Sequence, residues 1–594
     1  MSISKTWSPY QKAVFDFVKH GTGSAIVEAT AGSGKTTTII EATNHMAGQI
    51  AIMAFNNDII KELNRKRPPS KKTKIATCHS FGKTELNRIA PKAELNNSKV
   101  LTIAERLLAA KYSPRERGVI IRLVALAKNS GIGLSAPLGN KKTNQEWEEI
   151  ATHHGLDEDL KTVGITFKIA LELATKVLKA SNADLNSIDF ADMLYLPLVH
   201  KCVIPTYDWV LLDEAQDTNL TRRKLARAML KPTGRLLAVG DQQQAIYGFT
   251  GADHASLQRI KEEFSCQTLP LSISYRCAKN IIAYAQQWNP SIMARPGAED
   301  GNVTEIDYEE WMDSLKSIKL TEENGIICRN NAPLVGLFYN LLREGIPCRL
   351  NGLNTKDLAN LARKWKNVTL LEWKENIIAF GKSELEKYIA KDEEFKVRPL
   401  LDSIETILVL AARVLDSGKT TIEDLQSEII ALTGPRKGVN PAKAVLLSSI
   451  HKAKGLEWKR VFHIGEKQFL PSKFAKKEWQ QTQEQNLLYV AATRAKTELY
   501  NITDVPTPKT EKSNIKEFLL NSSPQPAKVA ITATNAMSDF DARIKQVIEH
   551  LTMLGGTKEE CTQVAQKAHA HGQAKLGAHT VKWADKKFHI AITI

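Results

Sequence analysis

Cysteine is sparse in this chain and never clustered. Its seven cysteines (Cys78, Cys202, Cys266, Cys277, Cys328, Cys348 and Cys561) in 594 residues form no CxxC pair and no His/Cys ligand spacing. That excludes a disulfide framework and a structural zinc site, and fits reduced thiols. No apolar run is long enough to cross a bilayer. The opening MSISKTWSPYQKAVFDF lacks the basic-then-apolar layout of a secretory leader. A cytoplasmic protein with no membrane partner is expected. There is no internal repeat, and neither terminus carries the paired Asp/Glu–Lys arrangement of a fused nuclease. Acidic residues are in deficit: 65 Asp+Glu face 81 Lys+Arg, a formal net charge of +16. Such a surplus favours a polyanionic partner.

The chain does contain two series of short β-branched runs separated by helical stretches. SAIVEAT, IAIMAF, KIATCHS, WVLLDEAQ and RLLAVGD form the first; TLPLSISYR, GIICRN, PCRLNG, AVLLSSIH, RVFHIG and ELYNITD form the second. This alternation predicts an α/β fold with two parallel-sheet lobes. Two charged helical stretches interrupt the series. The division expected is residues 1–82 and 188–270 for the first lobe, with 83–187 as its helical insertion. Residues 271–354 and 439–505 form the second lobe, with 355–438 as a smaller helical insertion, and 506–594 form a linker and C-terminal accessory segment. The linker reading rests on PTPKTEKSN and NSSPQPAK. HAHGQAKLGAH in the tail shows no fixed ligand geometry for a metal.

Chemistry concentrates in two places. Ala29-Thr30-Ala31-Gly32-Ser33-Gly34-Lys35-Thr36, followed by Thr37, fits a phosphate-binding loop between a strand and a helix. Its glycines let backbone N–H groups approach phosphate, and the helix N-terminus adds its positive dipole end. Lys35 would reach the β- and γ-phosphates of ATP, and Thr36 would ligate Mg²⁺. In WVLLDEAQD, Asp213 and Glu214 end an apolar strand. Asp213 suits the metal, and Glu214 suits orienting and deprotonating an attacking water.

Asp213-Glu214-Ala215-Gln216-Asp217 resembles motif II of superfamily-1A helicases, the UvrD/Rep/PcrA-like group, and further motifs follow in that family's order. The resemblance implies two RecA-like lobes, 1A and 2A, with insertions 1B and a reduced 2B, closing on Mg²⁺-ATP. It implies that Gln11 reads the adenine edge, that Gln244 in AVGDQQQAIYGFTGAD senses the γ-phosphate, and that Tyr275 in LSISYRCAKNI stacks on adenine. It also implies that Arg276 and Arg494 act as arginine fingers from the second lobe and that Glu457 meets the ribose. Phe55 and Asn56 in AFNNDIIKEL, Thr77, His79 and Phe81 in TCHSFG, Tyr247, Phe249 and His451 would contact single-stranded DNA. Three motifs depart from the family pattern: Phe249-Thr250-Gly251 replaces Trp-Arg-Gly, Ser274 replaces Asn, and Ser449 replaces Thr. The function implied is an ATP-dependent DNA translocase and helicase, 3′ to 5′, acting on single strands and single/double-strand junctions in repair or recombination at the nucleoid. The alternatives are a protein-stripping or recombination-remodelling translocase with little unwinding, and a nucleic-acid-sensing regulatory or defence ATPase signalling to a protein partner through the C-terminal segment.

Overall fold

A computed structural model describes residues 6–506, apart from 55–56, 67–71, 249–254, 316–317, 319, 345, 352–354, 366–367, 391–393, 432–442, 474 and 476, together with 529–530, 573–576, 579–584 and 587–592. Phe55, Asn56, Phe249 and most of the tail lie outside the described residues.

The first lobe is built on a six-stranded parallel sheet. Its strands are β1 (Ala25–Ala29), β2 (Ile50–Ala54), β3 (Thr73–Thr77), β6 (Tyr207–Leu212), β7 (Leu230–Gly240) and β8 (Gln267–Leu271), in the order β3-β2-β6-β7-β1-β8. Two further short strands, β4 (Glu94–Leu95) and β5 (Ser187–Ile188), pair with each other. Successive residues of the central strands enter opposite cores, as the period of two requires. Val27, Ile52 and Leu211 pack on one face of the sheet, and Ile26, Met53 and Val210 on the other. Both faces are covered, so these strands read as continuous apolar runs. The helix Pro9–His20 starts on a capping box in which Ser8 and Gln11 satisfy each other's backbone N–H groups.

The second lobe repeats this plan. After the short pair β9 (Ile273–Ser274) and β10 (Met293–Ala294) come β11 (Asn302–Asp307), β12 (Asn324–Cys328), β13 (Cys348–Asn351), β14 (Val445–Ser449), β15 (Trp458–Ile464) and β16 (Ala495–Thr503). They form a parallel sheet in the order β11-β16-β15-β12-β14-β13. One expectation is corrected here. The run TLPLSISYR does not belong wholly to the second series, because Gln267–Leu271 pairs with β1 of the first sheet. The chain changes lobe at Ser272, inside the apolar run. Thr30 holds that crossing: its N–H donates to Leu271 O at 3.1 Å and its Oγ1 to Ser272 O at 3.1 Å.

The first helical insertion closes around Trp147, Leu123, Val177 and Leu178, all fully buried. A buried charge network ties it to the helix Asp192–Val199. Lys99 Nζ lies 2.8 Å from Asp192 Oδ2, and Lys128 Nζ lies 2.7 Å from Asp192 Oδ1 and 2.6 Å from Asp189 Oδ2. In the second insertion, Asp402 accepts from Asn331 N (2.7 Å), Asn331 Nδ2 (2.7 Å) and Ala332 N (3.2 Å), capping the helix Asn331–Arg343 of the second lobe. Arg413 lies 3.4 Å over the Tyr339 ring of the same helix. The C-terminal segment forms a separate unit in which β17 (Val529–Ala530), β18 (Gln573–Leu576), β19 (His579–Ala584) and β20 (Lys587–Ile592) make an antiparallel sheet. Among the described residues no helix is long and apolar enough to cross a membrane.

Candidate functional site

The loop after β1 turns into the helix Lys35–Thr43 through two left-handed glycines, Gly32 (φ +73°) and Gly34 (φ +81°). A side chain at Gly32 would fail twice, because an added Cβ would stand 2.6 Å from both Arg276 Cβ and Ser274 Oγ. No side chain caps the helix N-terminus, so its N–H groups face the loop. Ser33 Oγ is fully buried and has no hydrogen-bond partner among the described residues. Left-handed glycines, an uncapped helix start and an orphaned buried hydroxyl fit a polyphosphate. Ala29, Thr30 and Ala31 are buried in the same turn, while Thr36 and Thr37 are half-buried on the first turn of the helix. Gln11 sits beside the loop, its Nε2 donating to Thr38 Oγ1 at 3.1 Å.

Behind the loop lies a set of interlocked carboxylates and amides. Lys35 Nζ stands 3.0 Å from Glu214 Oε2. Burial would raise the Glu214 pKa, but Lys35 and then Lys454 outweigh it and hold the carboxyl at about 2. For Lys35 burial works against the charge, and Glu214, Asp241 and Asp213 overcome it and raise its pKa. Glu214 has φ +50°, a left-handed conformation that costs a non-glycine residue about 1–3 kcal/mol. Gln216 bridges the motifs: its Nε2 donates to Glu214 Oε2 at 2.5 Å and its Oε1 accepts from Asp241 N at 3.0 Å. Asp241 Oδ2 accepts from Gln244 Nε2 at 2.6 Å, and burial pushes its pKa up to about 6. Asp213 is buried, with Oδ1 accepting from Glu214 N. No group of three His, Cys, Asp or Glu side chains among the described residues is placed to hold a metal. An ion such as Mg²⁺, which takes most of its ligands from phosphate and water, needs no such group.

The second lobe meets this set closely. Tyr275 N donates to Gly32 O at 2.8 Å, and the Tyr275 ring is 43% exposed beside the loop. Arg276 Nε pairs with Glu457 Oε2 at 2.6 Å, and its Nη1 donates to Thr493 O at 3.1 Å. Glu457 also pairs with Lys496 at 2.9 Å, so this carboxylate orients two cations of its own lobe. Arg494 is 1% exposed and anchored by Val490 O, Leu456 O and Thr493 Oγ1; burial, then the nearby Arg276, lowers its pKa.

The residues expected at the strand separate into two groups. Tyr247 and His451 come together across the lobes, Tyr247 Oη donating to His451 O at 3.0 Å. Burial, then Arg329 and Lys454, lowers the His451 pKa to about 3, so this imidazole stays neutral. His79 is half-buried against Phe190, and burial with Arg222 lowers its pKa to about 4. Two others have structural partners of their own. Phe81 is 4% exposed and packs edge-on to Tyr207 in the sheet core. Thr77 uses its hydroxyl as the N-cap of the helix Cys78–Ile89, accepting from Ser80 N at 3.0 Å.

The sequence reading missed four groups. Lys454 Nζ reaches across the lobes to Asp217 Oδ2 (2.5 Å) and Gln244 O (2.6 Å) and lies 5.0 Å from the Tyr247 ring. Asp241 stands inside a quoted motif without a role. Tyr489 meets the phosphate loop and Asp241 from a distant part of the chain, and Asn289 donates to the Tyr489 hydroxyl.

The chain is similar in sequence to known proteins. Residues 10–265 match the family model described as the UvrD/REP helicase N-terminal domain, and residues 360–504 match the UvrD-like helicase C-terminal domain. The ATP-dependent DNA helicase UvrD1 of Mycobacterium tuberculosis is 24% identical over 394 residues, 56% of this chain and 48% of that protein. The ATP-dependent DNA helicase Rep of Escherichia coli is 26% identical over 304 residues, 47% of this chain and 42% of its own length. DNA helicase II of Escherichia coli is 30% identical over 162 residues, 24% of this chain and 22% of that protein. The matches thus span less than half the length of each of these relatives.

Proposed function

The chain belongs to the UvrD-like helicase family, and on that premise we propose that it is an ATP-dependent DNA helicase that couples hydrolysis to movement along a single strand. The observation that carries this reading is convergence on one loop. Lys35 of the loop pairs with Glu214, Gln244 is tied to Ala31 of the loop through Asp241 and Tyr489, and Arg276 of the second lobe, with Arg494 near it, lies against Gly32. ATP bound there with Mg²⁺ would supply a transferable phosphoryl group whose hydrolysis is strongly favourable. Lys35 would neutralise phosphate charge, Thr36 and Asp213 would hold the metal, and Glu214 would orient and deprotonate water. Arg276 and Arg494 would complete the charge around the γ-phosphate only when the lobes are closed, a contribution worth roughly 10³–10⁵ in rate for such arginines. Tyr275 would stack on adenine beside Gln11, and Glu457 would reach the ribose.

Tyr247 joins this chemistry to the strand. It lies three residues after Gln244 and contacts both His451 O and Lys454 of the second lobe. Movement of 3′ to 5′ polarity, preference for single/double-strand junctions and work in DNA repair or recombination follow the family. So does the assignment of Phe55, Asn56, His79, Tyr247, Phe249 and His451 to the strand. The C-terminal unit would serve a protein partner. The test is the steady-state ATPase rate without nucleic acid, with single-stranded DNA and with single-stranded RNA, followed by unwinding of duplexes tailed at either end. Stimulation by DNA that is lost in Lys35→Ala supports the reading. Equal rates in all three conditions refute coupling to a strand, and better unwinding from a 5′ tail refutes the polarity.

A further inference from the structure

The helix Glu478–Ala492 carries more than the arginine at its end. Tyr489, fully buried on this helix, places its hydroxyl at the meeting point of three elements of the site. The Ala31 N–H of the phosphate loop donates to it at 2.9 Å, and Asn289 Nδ2 donates at 3.2 Å. The hydroxyl in turn donates to Asp241 Oδ2 at 3.3 Å. A phenol has two lone pairs and one proton, so this set uses its full capacity and fixes where the proton points. The acceptor is the same oxygen that receives Gln244 Nε2 at 2.6 Å. Three residues earlier on the helix, Asn486 Nδ2 donates to Ala245 O at 2.9 Å, one residue past Gln244.

We infer that Tyr489 is a positioning residue that couples the phosphate loop to Asp241 and Gln244, so that the arginine-bearing helix of the second lobe reads both ends of the nucleotide site through one hydroxyl. The inference rests on the proposed DNA-coupled ATPase. Any shift of the loop backbone at Ala31 changes the hydroxyl's geometry, and with it the support of the Asp241 carboxylate that orients Gln244. Gln244 is followed within three residues by Tyr247. Loop, phenol, carboxylate and amide thus form one hydrogen-bonded chain across the lobe boundary, ending three residues before Tyr247, and the Tyr489 hydroxyl can be removed from it without changing any charge. Burial makes each missing bond costly, since an orphaned N–H or carboxylate oxygen there has no water to turn to.

The experiment is Tyr489→Phe in the full chain, with Tyr195→Phe as its matched control. Tyr195 is also fully buried, and its hydroxyl donates to Ile132 O at 2.5 Å inside the first helical insertion, away from the loop. The expected result is a drop of about tenfold or more in DNA-stimulated kcat for Tyr489→Phe, with KM for ATP within about twofold. Tyr195→Phe should keep its stimulation even if both variants melt earlier. Asp241→Ala removes the acceptor without touching the helix and stands in if Tyr489→Phe does not fold. It should show the same loss of stimulation, and in a soluble double variant the two losses should not add. Retained stimulation in either variant, or equal loss in Tyr195→Phe, overturns the inference. A wild-type ATPase indifferent to DNA overturns the functional reading instead, so the two failures are distinguishable.

Discussion

Replacing Asp192 by asparagine is predicted to unfold the first helical insertion far more readily than a change of one atom suggests. The network holds two lysines and two aspartates: Lys99, Lys128, Asp189 and Asp192. Both lysine side chains and that of Asp192 are fully buried, and Asp189 is 13% exposed. Two positive and two negative charges sum to zero. Asp192→Asn leaves one net positive charge in a site that water does not reach. Breaking a buried pair by removing one partner costs about 3–5 kcal/mol. With a urea dependence of about 1–3 kcal/mol per molar, the insertion should open roughly 2 M earlier. Hydrogen exchange of the helices Lys99–Leu108 and Pro114–Asn129 during a urea series measures this directly. The double variant Asp192→Asn/Lys99→Met restores neutrality, leaving Lys128 with Asp189, and should recover most of the loss. A single variant that opens within a few tenths of a molar of wild type refutes the reasoning. So does a double variant no better than the single.

Three further outcomes are expected. Arg494→Lys keeps the charge but loses the fork that bonds Val490 O, Leu456 O and Thr493 Oγ1; turnover should fall by about 10³ or more with ATP affinity within a few-fold, as ATPase rates and nucleotide titration will show. Asp241 has a pKa raised by burial from its ordinary 3.8 to about 6, so its proton is held more tightly in the folded protein. Activity that needs the carboxylate should rise as pH increases through about 6, whereas the folded state loses stability as pH rises from about 3.8 to about 6, where the unfolded chain has released the proton and the folded one still holds it. Asp241→Asn should flatten that limb of the kcat–pH profile. Gly32→Ala should destabilise the protein more than Gly34→Ala in thermal melts. Both have positive φ, but only at Gly32 would a Cβ collide with Arg276 and Ser274, whereas at Gly34 it meets only Gln11 Nε2, at 3.6 Å.

Much of this was legible because local chemistry and local geometry coincide. The phosphate loop needs two glycines between a strand and a helix, and a contiguous stretch states that requirement. The two sheets announce themselves because strands covered on both faces must be apolar throughout. The failures have equally specific causes. Only Ser272 separates the strand that ends at Leu271 from the one that begins at Ile273, so with no loop between them TLPLSISYR reads as one run. β11 escaped because Asn302–Asp307 is a half-exposed edge strand with little apolar content. Phe81 could not be sorted from sequence because a base platform and a core ring require the same side chain. Its burial depends on Tyr207, far along the chain. Tyr489 and Lys454 act on residues 458 and 237 positions away, and no local pattern encodes such a meeting.

The crossing at Ser272 also has a mechanical meaning. The chain passes between the two sheets once, and Thr30, one residue into the phosphate loop, grips the carbonyls on either side of that passage. The fulcrum and the seat of the nucleotide are therefore nearly the same place. A lever loaded so close to its pivot trades force for travel. A displacement of the loop on nucleotide binding would therefore reach the second lobe at its root, through the two bonds of Thr30.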